Sequence, residues 1–149
     1  MTASPDQPGT PLPVLAESAL MAAFVIALAA SLGALFIGEI MGQMPCTLCW
    51  YQRIAMFPLV PILGIALWRA DLTGAIYAAP LALAGFLLAA WHSGLYAGML
   101  PQRIVPCSAD GPSCIDNAQI ILGLPIPYLS LGAFAAIISC FCIAWRTRS

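Results

Sequence analysis

Four long apolar stretches, parted by short polar breaks, set narrow limits on what this 149-residue chain can fold into. Glu17 and Glu39 enclose 21 uncharged residues, Ser18 to Gly38. At about 1.5 Å per residue a helix of that length covers roughly 30 Å, the hydrocarbon thickness of a bilayer. Arg53 and Arg69 enclose only 15 uncharged residues, too few to cross. The second span is therefore predicted to begin near Leu48 and end near Trp68. Arg53 then lies in its first turns at the membrane edge, where a long cation snorkels or pairs. A turn over Arg69, Ala70, Asp71, Leu72 and Thr73 leads to a third span, about 74–98. The fourth runs from about Pro127 to Trp145. Residues 1–16 are rich in Pro, Thr and Ser and read as a disordered tail, which leaves 17–149 as one four-helix transmembrane domain. No basic stretch precedes the first span and no small-residue cleavage site stands out, so no removable signal peptide is expected.

Composition agrees with a lipid solvent. Hydrophobic residues make up 62% of the chain and charged ones 7%, against about a quarter in soluble domains. There is no Lys, and the net charge of −1 argues against nucleic acid as a partner. The expected fold class is an all-α membrane protein: a four-transmembrane-helix antiparallel bundle with an extracytoplasmic loop between helices 3 and 4. That loop, roughly 25 residues, holds Pro101, Pro106 and Pro112. Within it, Ala118 to Leu124 is apolar enough to lie on the membrane as a short helix. Four spans put both termini on one side. Arg69, Arg146 and Arg148 mark that side, against Arg53 and Arg103, so it reads as cytoplasmic.

The six Cys fall into three pairs. Cys46 and Cys49 sit at the predicted N-terminus of the second span. A helix N-terminus offers free N–H groups and partial positive charge, which favour a thiolate. Arg53 is four residues on from Cys49 and shares its helical face, so its guanidinium can stabilise a Cys49 thiolate or an anionic electron acceptor beside it. An exchangeable disulfide at a membrane edge can meet both a soluble protein and a lipid-dissolved electron carrier. The competing readings are a structural disulfide, two packed thiols, and an interfacial anchor for Arg53. Zinc would want four ligands, and no second CxxC exists, so no metal is expected. Cys107 and Cys114, with six residues between them in the loop, are either a static staple or a mobile exchanging pair. Cys140 and Cys142 lie two steps apart on an apolar helix, diverge, and read as packing thiols. His92, the only His, is either a packing residue or a hydrogen-bond partner for a quinone carbonyl. Glu39 is either functional, as a carboxylate at membrane depth tends to be, or a headgroup-exposed helix end. Trp50, Tyr51, Trp68, Trp91, Tyr96 and Trp145 mostly fall near span ends, as an aromatic belt does.

The run Pro45-Cys46-Thr47-Leu48-Cys49-Trp50-Tyr51-Gln52-Arg53 resembles the signature of the disulfide bond formation protein B (DsbB) family, in its BdbC-type form. The resemblance extends to Phe36–Met41, to Trp91-His92, to Cys107 and Cys114, and to Leu124–Leu129. It implies a multi-pass, four-helix oxidoreductase of the bacterial cytoplasmic (inner) membrane, with both termini cytoplasmic and the active site extracytoplasmic. Such proteins reoxidise a DsbA-like thioredoxin-fold thiol oxidase and pass two electrons to the membrane quinone pool, ubiquinone or menaquinone. By that match Cys46 and Cys49 are the quinone-proximal pair, and Cys107 and Cys114 the loop pair that meets the donor. Arg53 and His92 are then carrier-binding residues, and Glu39 joins them as a third candidate at the same edge. The chain departs from the longer-looped branch in having its loop Cys closer together, which leaves the order of exchange open. Two other classes compete: an outward-running membrane thiol reductase, and a non-catalytic metal-binding or scaffold membrane protein.

Overall fold

The computed structural model describes residues 12–99, 120–121 and 124–148. Five α-helices appear in it: α1 Val14–Leu35, α2 Thr47–Met56, α3 Leu59–Trp68, α4 Thr73–Tyr96 and α5 Ile126–Arg148. α1 continues through a π-helical turn, Phe36–Ile40. Together α2 and α3 form one span. The four spans, Val14–Ile40, Thr47–Trp68, Thr73–Tyr96 and Ile126–Thr147, contain 22 to 27 residues each, enough to cross a bilayer. The fold is thus the expected four-helix membrane bundle. α5 packs between α1 and α4, and the α2–α3 span closes the ring against the same two helices.

The interior is built from small residues and the exterior from large ones. α1 buries Ala16, Ala19, Ala23 and Ala27, spaced three or four apart on one stripe. α4 buries Ala75, Ala78, Ala82, Gly85 and Ala89 on a matching stripe. Met21, Val25, Trp68, Tyr77 and Leu87 face outward. In lipid there is no hydrophobic drive between helices, so close backbone approach through small side chains holds them together. Phe134 of α5 fits against Gly85: a Cβ there would overlap the Phe134 ring. Phe134, Ile137, Phe141 and Ala144 supply the α5 side of the core.

Three features depart from the sequence reading. The tail was expected to run to residue 16, but α1 starts at Val14 after Pro13, and Ala16 is fully buried. Proline suits a helix start, because the N–H it lacks would have no intrahelical partner there. The second span is not one helix: it breaks at Phe57-Pro58, where Pro58 cannot donate to the ladder. Ala118 to Leu124 is not a surface helix where it is described. Ile120–Ile121 pairs antiparallel with Leu124–Pro125, Ile121 opposite Leu124 and Ile120 opposite Pro125. Pro125 biases Leu124 away from helical backbone. The Arg69–Thr73 turn forms as expected. Ala70 takes a positive φ of 48°, and Asp71 Oδ1 accepts from Thr73 N–H at 2.8 Å and from its hydroxyl at 2.6 Å, starting α4. Those two bonds hold the Asp71 carboxyl below its ordinary value.

Candidate active site

α1 ends at the membrane edge in its π turn, Gly42 reverses the chain with φ +65°, and an extended segment delivers Pro45 and Cys46 to the start of α2. Cys46 is the N-cap residue of α2, with extended backbone, and its Sγ accepts from Cys49 N–H at 3.4 Å. The Cys46 and Cys49 Sγ atoms are 2.9 Å apart, so a small movement separates dithiol from disulfide. Cys46 is buried and Cys49 half-buried.

Behind the pair stands a residue from α4. His92 is 2% exposed, and its Nδ1 lies 3.1 Å from Gln52 Nε2. The sulfurs and a His92 ring nitrogen all fall within 4.8 Å of one another. The hydrogen bond with Cys49 pulls the Cys46 thiol down to about 4. Burial opposes that shift, while bonds from His92 and from the Cys49 N–H add to it. The contacts that favour a thiolate therefore gather on Cys46. Three such atoms could hold a soft cation when both sulfurs are reduced, with a fourth position left to an outside ligand.

Arg53, expected to stabilise a Cys49 thiolate or an anionic acceptor beside it, also makes contacts of its own. Its Nη2 donates to the Ala34 carbonyl of α1 at 2.8 Å, and its guanidinium carbon lies 5.7 Å from the centre of the Trp50 ring. Gly38 makes room for it: a Cβ there would stand 3.0 Å from Nη1. Arg53 nonetheless lines the same cavity as Cys49.

That cavity, about 460 Å³, opens between α1, α2 and α5. Its walls are largely apolar, including Ile26, Ala30, Ile37, Leu129 and Phe134. The polar groups in the lining include Gln43, Cys46, Cys49, Gln52, Arg53 and His92, at the rim end of the bundle. An apolar cleft with a few convergent polar groups suits a flat, lipid-soluble ring compound. Glu39 stands apart: it is exposed on the π turn and lines a shallow outer groove with Leu32, Leu35, Phe36 and Ile40. Cys107 and Cys114 lie outside the described residues. Cys140 packs against the core and Cys142 is exposed, both on α5 away from the cavity. Two glutamines escaped the sequence reading. Gln52 carried a signal, since an amide inside an apolar span needs a buried partner. Gln43 carried none beyond lying close to the motif.

Fold and site together define a multi-pass membrane protein with a dithiol pair at the mouth of an apolar cavity. The profile of the family described as Disulfide bond formation protein DsbB matches residues 16–144. The chain is 50% identical over 131 residues to a probable disulfide formation protein of Metapseudomonas resinovorans, spanning 87% of this chain and 90% of that one. It is 38% identical over 136 residues to disulfide bond formation protein C of Bacillus subtilis (strain 168), with 87% and 94% covered. It is 41% identical over 117 residues to probable disulfide formation protein C 2 of Bacillus anthracis, with 78% and 82% covered. No solved structure is significantly similar to it. With matches of this extent, the chain belongs to the DsbB family.

Proposed function

We propose that this protein is a disulfide-generating oxidoreductase that takes electrons from a DsbA-like thioredoxin-fold partner and delivers them to membrane quinone. The observation that carries the reading is the opening of the Cys46–Cys49 pair onto an apolar cavity that also holds Arg53 and His92. The dimensions and lining of that cavity fit a quinone head group, with Arg53 and His92 as candidate partners for its oxygens.

The cycle uses two thiol–disulfide exchanges. A partner thiolate attacks the Cys107–Cys114 disulfide, forms a mixed disulfide, and leaves oxidised as its second thiol displaces the loop sulfur. A loop thiolate then attacks the Cys46–Cys49 disulfide in the same way, so the loop pair is oxidised and Cys46 and Cys49 become a dithiol. His92 and the Cys49 N–H stabilise the Cys46 thiolate that forms on reduction. Gln52 Nε2 lies 3.1 Å from His92 Nδ1 and fixes the orientation of the ring beside Cys46. A quinone held there would supply the two-electron oxidation that closes Cys46 and Cys49 to a disulfide, taking one proton from the Cys49 thiol and one from solvent. Arg53, held by Ala34, supplies fixed positive charge where negative charge develops. On this reading the termini are cytoplasmic and the cavity mouth is extracytoplasmic.

The decisive experiment is thiol trapping on the purified, reduced protein in detergent, with and without added quinone. Quinone should protect four of the six Cys from an alkylating mass tag, and Cys49→Ser should abolish that protection. If quinone changes nothing while the thiols stay reactive, the quinone reading is wrong. The Cys46–Cys49–His92 cluster gives the metal-binding alternative a specific basis. Zinc bound stoichiometrically by the protein as isolated would favour it, because an oxidised pair has no thiolates to offer.

A further inference from the structure

Gln43 lies in the extended connection between the π turn and α2. Its backbone N–H donates to the Ile37 carbonyl at 3.2 Å, which pins the residue at the rim. It lines the cavity alongside Cys46, Cys49, Arg53 and His92. Its Oε1 is buried and has no hydrogen-bond partner among the described residues. Buried carbonyl oxygens are nearly always paired, so an unpaired one beside a cavity calls for a partner, and a donor on a bound ligand can be that partner. The other such atom among the described residues, Ser31 Oγ, is not in the cavity lining.

What is missing at Gln43 is a donor. A quinone ring has carbonyl oxygens, which only accept. Its two-electron reduction by the Cys46–Cys49 pair yields the hydroquinone and the disulfide, with one proton from the Cys49 thiol and one from solvent, in place of the proton Cys46 has already lost, now on ring oxygens as hydroxyls. We propose that Gln43 Oε1 accepts a hydrogen bond from a hydroxyl of that hydroquinone. The site then holds the reduced carrier more tightly than the oxidised one through this contact. This inference rests on the quinone reading above and adds a residue that tells the two redox states apart. By linkage, any preference of the site for hydroquinone favours reduction of the bound carrier by the same factor.

The test compares two ligands that leave the dithiol untouched: a short-chain benzohydroquinone and its dimethyl ether, which has the ring but no hydroxyl. Both are titrated by calorimetry into the full-length protein, reduced and in detergent. Gln43→Met should bind the hydroquinone about 3- to 10-fold more weakly than wild type, the effect of one neutral hydrogen bond. Its affinity for the ether should change less than about 2-fold. The ether also reports whether the variant has kept its cavity. Equal losses for both ligands, or no loss for either, overturn the inference. Thiol protection by quinone in the wild type separates the two failures. If protection occurs and Gln43→Met binds hydroquinone normally, only the Gln43 assignment falls. If quinone protects nothing and neither ligand binds, the quinone reading falls and takes Gln43 with it.

Discussion

α2 and α3 belong to one membrane span yet follow different rules. α3 buries Leu59, Leu63 and Ala66, and its inward face holds nothing but carbon. α2 buries Leu48, Ala55 and Met56, but also Gln52, and turns Cys49 and Arg53 toward the cavity. A polar group placed among helices and lipid has no water to fall back on, so its partners must be built in. Gln52 finds His92 on α4, and Arg53 finds a carbonyl on α1. Position in α2 is therefore fixed by hydrogen bonds to both neighbouring helices, and position in α3 by volume. The break at Pro58 lets the two halves tilt independently onto those partners.

The sharpest way to break this contrast is to open a hole in α3. Leu63 is fully buried, and Leu63→Ala should cost about 2–5 kcal/mol of stability, read by denaturant unfolding in detergent. Leu63→Met, which keeps the volume, should cost less than about 1.5 kcal/mol. Whatever fraction remains folded should still close its dithiol with quinone at the wild-type rate. A slowed reaction in folded Leu63→Ala would mean that α3 contributes more than packing.

Arg53 tests the other half. Arg53→Ala should leave the unfolding midpoint close to wild type but lower quinone-dependent oxidation by about 10²-fold, the usual loss for one fixed electrostatic donor. Gly38→Val offers a milder version, since its side chain would press on the guanidinium from 3.0 Å and weaken the bond to Ala34. Full activity in Arg53→Ala would reduce that residue to an interfacial anchor.

A smaller effect is expected in the acid range. The folded Cys46 thiol is lowered to about 4 from an ordinary value near 9. Its thiolate is therefore present at neutral pH, and reactivity is lost as pH falls through about 4. Alkylation of the reduced protein, with label located on Cys46 by peptide mass, should show that midpoint. Cys49→Ala removes the largest cause and should move the midpoint up furthest, and His92→Ala should move it less. A wild-type midpoint near 9 would show that the Cys49 and His92 contacts do not operate in solution.

How much of this could be read in advance depended on distance along the chain. The spans were legible because bilayer thickness translates directly into a count of apolar residues. A start of α2 near Leu48, against the observed Thr47, was legible because Arg53 left too few residues for a helix that began after it. The break at Pro58 was written in the sequence, yet proline is common enough in membrane helices to be passed over. The Gln52–His92 contact joins residues 40 apart, and nothing local in either segment announces the other. Arg53 bonds a backbone carbonyl, a partner every residue carries, so no sequence pattern can name Ala34. Glu39, singled out for its charge at the membrane edge, is exposed on the π turn and lines a separate outer groove, a placement its charge alone does not announce.

The last pair of Cys should have the smallest effect. Cys140 and Cys142 follow Pro127, which lines the cavity, by 13 and 15 residues along α5. At about 1.5 Å per residue that places them roughly 20 Å from the cavity end of the helix, far beyond the ~7 Å over which Cα atoms can share a disulfide. Neither can exchange with Cys46 or Cys49 without unfolding the bundle. Cys142 is exposed, and removing its sulfur should change stability by less than about 0.5 kcal/mol. Cys140 touches the core and should cost somewhat more, up to about 1 kcal/mol. Quinone-dependent oxidation in the Cys140→Ala, Cys142→Ala double variant should match wild type. An outward-running reductase would need thiols at that end of the bundle to receive electrons, so a large loss of activity there would transfer the chemistry to α5 and reverse the direction assigned to the electrons.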